Sequence, residues 1–230
     1  ALPSAWFLAL FAVGAWVMRG AGCTYNDIVD RDIDAGVART RGRPIPSGQV
    51  TAKQAALFMV GLCLAGLLVL LQFDTLTIWL GIASLALVAI YPFMKRITWW
   101  PQATLGLAFS WGALMGWACA FGRLDAPAFW LYAGSIAWVI GYDTIYAHQD
   151  RDDDALIGVK STARLFGERT RPLLAVFYGL ATMLLGVAFW SAGAGLPAWL
   201  GLAAFAGHLG WQVVRLDIDD PALCLRLFKS

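Results

Sequence analysis

Residues 26–34 read Asn-Asp-Ile-Val-Asp-Arg-Asp-Ile-Asp and follow an apolar segment long enough to cross a membrane. We call this stretch the first acidic run. A second acidic run, residues 143–154, follows another apolar segment far along the chain. The first run holds four and the second five of the fifteen acidic residues. Acid is therefore concentrated at two places in a chain that is otherwise apolar.

The composition indicates a membrane protein. Hydrophobic residues make up 60% of the 230 residues and charged residues 14%, and the mean hydropathy is +0.65. These values lie outside the usage of soluble domains. The stretches without any charged residue are 1–18, 54–73, 75–94, 97–122, 126–142 and 172–214. A spanning helix needs about 20 largely apolar residues, and the last stretch breaks at the Gly-Ala-Gly-Leu-Pro of residues 193–197, which gives about seven spans.

The fold class and the orientation follow from these spans. Only helices and closed barrels satisfy backbone polar groups in lipid, and continuous apolar runs without strict alternation indicate helices. We therefore predict an all-α, polytopic transmembrane bundle in the lipid bilayer. It forms a single domain over residues 1–230. If the spans alternate in direction, every Lys and Arg except Arg123 lies on the same side as both acidic runs. The positive-inside rule makes that side cytoplasmic.

Two other kinds of site are not expected. The four cysteines are scattered singly, so neither a zinc site nor a disulfide framework is indicated. The net charge of +2 is too small to indicate a nucleic-acid partner, and topology accounts for the basic residues.

The first acidic run places its carboxylates on one helix face. At 100° per residue, Asp27, Asp30 and Asp34 fall within an arc of about 60°. Asn26 lies at the edge of that face, whereas Asp32 points the other way. The alternative is a polar helix end that frays into water.

The second acidic run repeats this pattern. If the preceding helix continues, a shared face of about 80° carries Asp143, Tyr146, Asp150 and Asp154. A loop with basic residues follows each run: 39–48 after the first and 158–167 after the second. The order of span, acidic face and basic loop therefore occurs twice, which predicts two pseudo-repeated halves.

The two acidic faces indicate a divalent cation and an anion. Carboxylates at membrane depth cost roughly 2.5–3.5 kcal/mol each on insertion scales, and clusters of them mark function or a water-filled cavity. An all-oxygen set selects Mg²⁺ or Ca²⁺ over zinc. The neighbouring Lys and Arg side chains suit a diphosphate. If the diphosphate is attached to a hydrophobic chain, that chain would lie between apolar helices. The residues thus point to a prenyl diphosphate.

Both runs resemble those of the UbiA-type intramembrane aromatic prenyltransferases. The first part of the resemblance is carried by Asn26, Asp27, Asp30, Asp34, Arg39, Thr40, Arg43 and Pro44. The second part is carried by Tyr142–Ala147, Asp150–Asp154 and Lys160–Thr162. The sequence of the second part is similar to that of the family branch that prenylates 4-hydroxybenzoate in ubiquinone synthesis. Since that family has nine helices, the resemblance implies that this chain is a fragment without the first and the last.

The resemblance also implies roles for individual residues. Asn26, Asp30 and Asp34 would hold one Mg²⁺, and Asp150 and Asp154 another. The side chains that would contact the diphosphate of a polyprenyl diphosphate are Tyr91, Lys95, Arg96, Arg43 and Lys160. Catalytic roles fall to Asp27, Asp143 and Tyr146, with either aspartate as the acceptor of the ring proton.

Three alternatives stay open at this point. The acceptor is expected to be 4-hydroxybenzoate, but the first run is shared by prenyltransferases that use other rings. A cation transporter with acids in a midplane pathway is a second reading, against which both runs lie at one edge of the membrane. A Mg²⁺-dependent CDP-alcohol phosphotransferase is a third, but the Asp-Gly and Ala-Arg spacing of that family is missing. The expected location is a bacterial inner membrane, with the site facing the cytoplasm.

Overall fold

The computed structural model describes residues 4–37 and 39–230, and within these ranges it contains helices and no strand. The first three residues of the first uncharged stretch lie outside the described residues. The α-helices are α1 (Ala5–Asp34), α2 (Ala52–Leu70), α3 (Thr75–Ile97), α4 (Pro101–Phe109), α5 (Gly112–Phe121), α6 (Ala126–Ala147), α7 (Arg151–Ile157), α8 (Thr162–Phe166), α9 (Thr170–Ser191), α10 (Leu196–Arg215) and α11 (Pro221–Lys229). Two 3-10 turns lie at His148–Asp150 and Gly167–Arg169.

The predicted spans are found as helices. They correspond to α1, α2, α3, the α4–α5 pair, α6, α9 and α10. The stretches that are long and apolar enough to cross a membrane are Ala5–Asp34, Ala52–Leu70, Thr75–Ile97, Pro101–Phe121 and Thr162–Ser191. Helices α6 and α10, which have 22 and 20 residues, correspond to the other two predicted spans. The prediction of an all-α integral membrane protein is confirmed.

The chain divides into two compact units. The first unit comprises the chain as far as Pro92 together with Ala118–Gly122, and the second comprises Phe93–Trp117 and Arg123–Ser230. The boundary therefore falls within α3, between Pro92 and Phe93. Each unit contains one of the two acidic runs.

In the first unit, α1 packs along α2. The Met18 side chain of α1 fills the space where a Cβ at Gly66 would lie, so the two helices approach closely there. The ring of Phe73, after α2, packs against Phe7 and Phe11 of α1, with centroids 5.6 and 4.9 Å away. Because α1 is held by α2 along its length, the acidic end of α1 extends a fixed helix.

In the second unit, α6 is the central helix. It packs against α4 and α9, while α9 packs against α10. At Gly141 of α6 the ring of Tyr178 from α9 occupies the place of a side chain, which brings the two helices together just before the second acidic run. The core around this contact includes Ile145 and Leu174 and reaches α11 through the buried Cys224.

Candidate active site

The first acidic run lies on an unbroken helix, as predicted. Helix α1 runs for 30 residues to Asp34 and therefore includes the whole run. Asp30 is fully buried and Asp34 is 5% exposed, whereas Asn26 and Asp27 are half-buried. The side chain of Asp32 is 91% exposed and lies beside Arg31, at 3.5 Å. Burial thus follows the predicted face, and the fraying alternative does not describe this helix end.

The loop after α1 folds back onto this acidic face. Arg43 Nη1 donates to Asp27 Oδ1 at 2.7 Å and to Asp34 Oδ2 at 3.1 Å. The buried hydroxyl of Thr40 donates to the Asp34 carbonyl oxygen at 2.9 Å. The guanidinium of Arg43 therefore supplies a positive charge between two carboxylates of the run. Sequence reasoning assigned Arg43 to the diphosphate and did not foresee this internal ion pair.

The second acidic run lies on a broken helix, which corrects the prediction of one continuous face. Helix α6 ends at Ala147, the 3-10 turn His148–Asp150 follows, and α7 starts at Arg151. Because the turn changes the helical register, Asp154 does not continue the face that carries Asp143 and Tyr146. Asp143, Tyr146 and Asp150 are half-buried. Asp152, which was expected to point away, has a 90% exposed side chain.

Neutral polar side chains hold the second run in place. Gln102, buried at the start of α4, hydrogen-bonds the Asp143 side chain, and its Oε1 accepts from the backbone N–H of Thr162 at 3.0 Å. The hydroxyls of Thr144 and Thr162 lie 2.7 Å apart. His148 Nε2 lies 3.1 Å from Thr170 Oγ1 of α9. These contacts tie α6 and its turn to three other helices.

The sequence analysis gives these residues no supporting role. Gln102 and Thr144 are polar residues inside otherwise apolar spans, and a buried polar group requires a partner. That signal was available from the sequence. The identity of the partner was not, because Gln102 and Asp143 are 41 positions apart (143 minus 102).

The predicted diphosphate-binding residues of the second unit come together. The backbone N–H of Lys160 donates to the Lys95 carbonyl oxygen at 2.9 Å, and Lys160 Nζ donates to the Ile97 carbonyl oxygen at 3.0 Å. The loop after α7 therefore lies against the end of α3. Arg96 is exposed, with its guanidinium carbon 5.8 Å from the ring centre of Phe93. Tyr91 is half-buried on α3 in the first unit.

Two features shape the loop that carries Lys160. Helix α7 ends at Gly158, whose φ of 76° is a left-handed conformation that favours glycine. Arg164 then donates to the carbonyl oxygens of Asp154 and Val159, and its guanidinium carbon lies 5.2 Å from the ring centre of Trp99. Arg164 thus closes the loop, so Lys160 is presented by a fixed segment.

The donor set of the acidic runs fits Mg²⁺. The side chains of the two runs offer carboxylate and amide oxygens, which hard cations prefer. The Arg43 guanidinium also shows that the α1 face accepts a positive charge. Across residues 4–37 and 39–230, no three His, Cys, Asp or Glu side chains gather into a cluster that could hold a metal ion. Such a cluster is not required, because Mg²⁺ usually binds through few carboxylates together with water and substrate phosphates.

Curated relatives match the chain over nearly its whole length. The proteins of Drosophila pseudoobscura pseudoobscura, Caenorhabditis elegans and Bos taurus are 47%, 46% and 47% identical over 99%, 100% and 100% of the chain. All three are named mitochondrial 4-hydroxybenzoate polyprenyltransferase. The chain spans 58%, 65% and 62% of their respective lengths.

Solved structures share the fold. A UbiA homologue from Aeropyrum pernix K1 superposes with a TM-score of 0.80 at 23% identity, over 96% of this chain and 88% of the other. A digeranylgeranylglyceryl phosphate synthase gives a TM-score of 0.65 at 17% identity, over 96% and 80%. The model of the UbiA prenyltransferase family matches residues 1–230. The chain therefore belongs to the UbiA prenyltransferase family.

Proposed function

We propose that this protein transfers a polyprenyl group from polyprenyl diphosphate to the ring of 4-hydroxybenzoate, in ubiquinone biosynthesis. The observation that carries the proposal is the 46–47% identity, over 99–100% of the chain, to proteins named for that activity. The two acidic runs support the proposal, because their carboxylates can hold Mg²⁺ and a diphosphate leaving group requires such a positive charge. In this proposal the two compact units act as one prenyltransferase domain.

The acidic runs hold the metal in this proposal. Asn26, Asp30 and Asp34 are the ligands in the first run, and Asp150 and Asp154 are those in the second. Bound Mg²⁺ supplies positive charge that stabilises the departing diphosphate. Burial of Asp30 and Asp34 strengthens their interaction with a cation, because the surrounding dielectric is low.

The basic residues bind the diphosphate in this proposal. Lys95, Arg96 and Lys160 lie in adjoining segments of the second unit, so they can act on one anion. Arg43 and Tyr91 are the other residues that this proposal assigns to the diphosphate. The allylic C–O bond breaks with its electron pair leaving on the diphosphate, and the ring carbon next to the hydroxyl forms the new C–C bond.

Asp143 is the stronger candidate for the base that takes the ring proton. Asp27 is engaged by Arg43 at 2.7 Å, so its carboxylate already neutralises a cation. Asp143 is held by the neutral Gln102 instead. Its carboxylate therefore keeps more capacity to accept a proton. Tyr146, one helical turn after Asp143, lies beside the reacting groups in this proposal and helps to orient them.

We place the active site on the side of the membrane that carries the basic residues, facing the cytoplasm of a bacterial cell. The support is the bias of Lys and Arg to one side. In a cysteine-free background, a cysteine at position 41 or 160 should react with an impermeant thiol reagent from the cytoplasmic face only. A cysteine at position 123 should react from the other face, and the reverse pattern would contradict this orientation.

A competition assay tests the proposed reaction. The full-length protein in detergent, with Mg²⁺ and a polyprenyl diphosphate, is offered 4-hydroxybenzoate together with a naphthoate and homogentisate. Prenylated 4-hydroxybenzoate should dominate the products. A dominant product from another ring would refute the acceptor but not the reaction class. No product from any ring, with cation flux into proteoliposomes instead, would favour the transporter.

A further inference from the structure

Helix α11 lies against the part of α6 that carries the second acidic run. It packs on α6 and on the 3-10 turn that contains Asp150. The ring of Phe228 lies with its centroid 4.5 Å from that of Tyr146 and 5.7 Å from that of Tyr142. The sequence of α11 contains no acidic residue and matched none of the motifs that indicated the site. The structure nevertheless brings this helix to the second acidic run.

The end of α11 is fixed by a buried amide. Gln212 of α10 is 5% exposed, and its Nε2 donates to the Leu227 carbonyl oxygen at 2.9 Å and to Ser230 Oγ at 3.2 Å. Its Oε1 accepts from the Tyr178 hydroxyl at 2.7 Å. Leu227 itself is 1% exposed. The last turn of α11, which includes Phe228, is therefore held against α10 and α9.

The start of α11 is tied to the acidic run itself. Arg151, the residue after Asp150, pairs with Asp219 at 3.0 Å in the segment that leads into α11. Cys224 is fully buried, and its thiol donates to the Asp217 carbonyl oxygen at 3.2 Å. Both ends of α11 are thus anchored, so the position of Phe228 is set by the fold rather than by a free chain end.

The aromatic contact lies on the accessible face of α6. Tyr142 and Tyr146 are half-buried, as are Asp143 and Asp150, whereas Ile145 on the other face is fully buried. The rings of Tyr146 and Phe228 are inclined by 45°, and such aromatic pairs restrict each other's orientation. Phe228 is half-buried as well, and it packs on the Tyr146 ring without burying Tyr146 completely.

We infer that Phe228, at the end of α11, is part of the active site as a positioning residue for Tyr146. By packing on the ring, Phe228 fixes the Tyr146 side chain and the last turn of α6, next to the turn that carries Asp150. The inference rests on the proposed function, because the role of Tyr146 in prenyl transfer belongs to that proposal. It adds to that proposal a residue outside both acidic runs.

The kinetic test replaces the ring while keeping apolar volume. In the full-length protein, F228L should lower kcat for prenyl transfer by about threefold to tenfold, the value of one aromatic pair. The KM values for polyprenyl diphosphate and for the acceptor should stay close to those of the wild type. F228Y, which keeps the ring, should restore most of kcat. A rise in the acceptor KM alone, or in the donor KM alone, would overturn the positioning role and indicate a substrate contact.

A matched control separates positioning from the docking of α11 in general. Leu223, on the same helix, packs against the hydrophobic core and carries no aromatic ring that could stack on Tyr146. L223A should lower the melting temperature at least as much as F228L does, but it should leave kcat near that of the wild type. Equal losses of kcat in L223A and F228L would refute the inference.

Hydrogen exchange provides a readout that needs no substrate. F228L should raise backbone exchange in residues 142–150 more than L223A does, while F228Y should match the wild type. If the wild type prenylates none of the offered rings, the proposed function fails, and the exchange comparison still decides whether Phe228 orders the second acidic run. Unchanged exchange in F228L would overturn the inference whatever the reaction is.

Discussion

The two acidic runs have the same spacing and different construction. Asp30 and Asp34 are four residues apart on one unbroken helix, and Arg43 neutralises the face that they share with Asp27. Asp150 and Asp154 are also four residues apart, but a 3-10 turn ends at the first and a new helix carries the second. Equal spacing in the sequence therefore does not give equal geometry.

The difference lies in what fixes each run. The helix itself and a charge from the following loop fix the first run. Neighbouring segments fix the second run, through Gln102 of α4, Thr162 of α8, Thr170 of α9 and Phe228 of α11. We expect the first run to be sensitive to changes of charge and the second to changes of its neutral partners.

The largest expected effect comes from removing one carboxylate from either run. In the full-length protein, D30N or D150N should reduce turnover by about 100-fold or more at saturating Mg²⁺, the range seen when a charge-stabilising group is lost. The measurement is the initial rate of prenyl transfer in detergent. Both variants should stay folded, with melting temperatures in EDTA no lower than that of the wild type, because the remaining carboxylates repel one another less.

Each run offers its own control for this experiment. Asp32 and Asp152 lie within the runs, but their side chains are 91% and 90% exposed beside Arg31 and Arg151. D32N and D152N should keep near-wild-type turnover. If D30N or D150N also kept it, the assignment of that run to the metal would be wrong.

The sequence predicted the first run better than the second. The continuity of α1 and the burial of Asp30 follow from a local period of 3.6 residues, which a sequence displays directly. The break at His148–Asp150 depends on contacts with Thr170 and α11, which lie at least 20 positions away. The pairing of Gln102 with Asp143 and of Phe228 with Tyr146 likewise depends on tertiary packing, so periodicity carries no trace of it.

The second largest effect should come from the neutral support of the second run. Q102L leaves the Thr162 N–H and the Asp143 carboxyl without this partner, and the buried Thr162 N–H alone should cost about 1–3 kcal/mol. The melting temperature and the turnover should both fall. Q102E separates the two contacts, since its carboxylate accepts from Thr162 but donates nothing to Asp143. A wild-type melting temperature for Q102L would show that the second run does not depend on this support.

A smaller effect should come from the cation of the first run. R43A leaves Asp27 and Asp34 without their ion pair and should cost about 1–2 kcal/mol in EDTA, between the values for surface and buried pairs. Added Mg²⁺ should stabilise R43A more than the wild type, because a metal ion replaces the missing charge. R43K should lie between the two. The measurement is the melting temperature with and without Mg²⁺, and an equal Mg²⁺ response in R43A and the wild type would contradict the charge-balance argument.

The smallest effect concerns an acid outside both runs, whose loss should lower the melting temperature, unlike the loss of Asp30. Asp74 precedes α3, and its Oδ1 accepts from the backbone N–H groups of Leu76 and Thr77 at 3.0 and 3.1 Å. Burial by itself raises the pKa of Asp74, but the hydrogen bonds from Thr77 and Leu76 outweigh it and leave the pKa below its ordinary value. D74A should therefore cost about 1 kcal/mol, the usual value of a helix cap. Because the folded pKa is lowered, this stability is present above the unfolded pKa of about 3.9 and is lost as the pH falls through the folded pKa. D74N, which keeps an accepting oxygen, should recover most of this stability, and turnover should stay unchanged in both variants.

Melting curves of D74A and D30N in EDTA, compared at neutral pH, test whether the two acids differ in this way. Loss of the capping acid Asp74 should lower the melting temperature, and loss of Asp30 in the first acidic run should not. If both variants melted lower by the same amount, the acids of the first run would be structural groups like Asp74, and repulsion among them would not limit the stability of the metal-free protein.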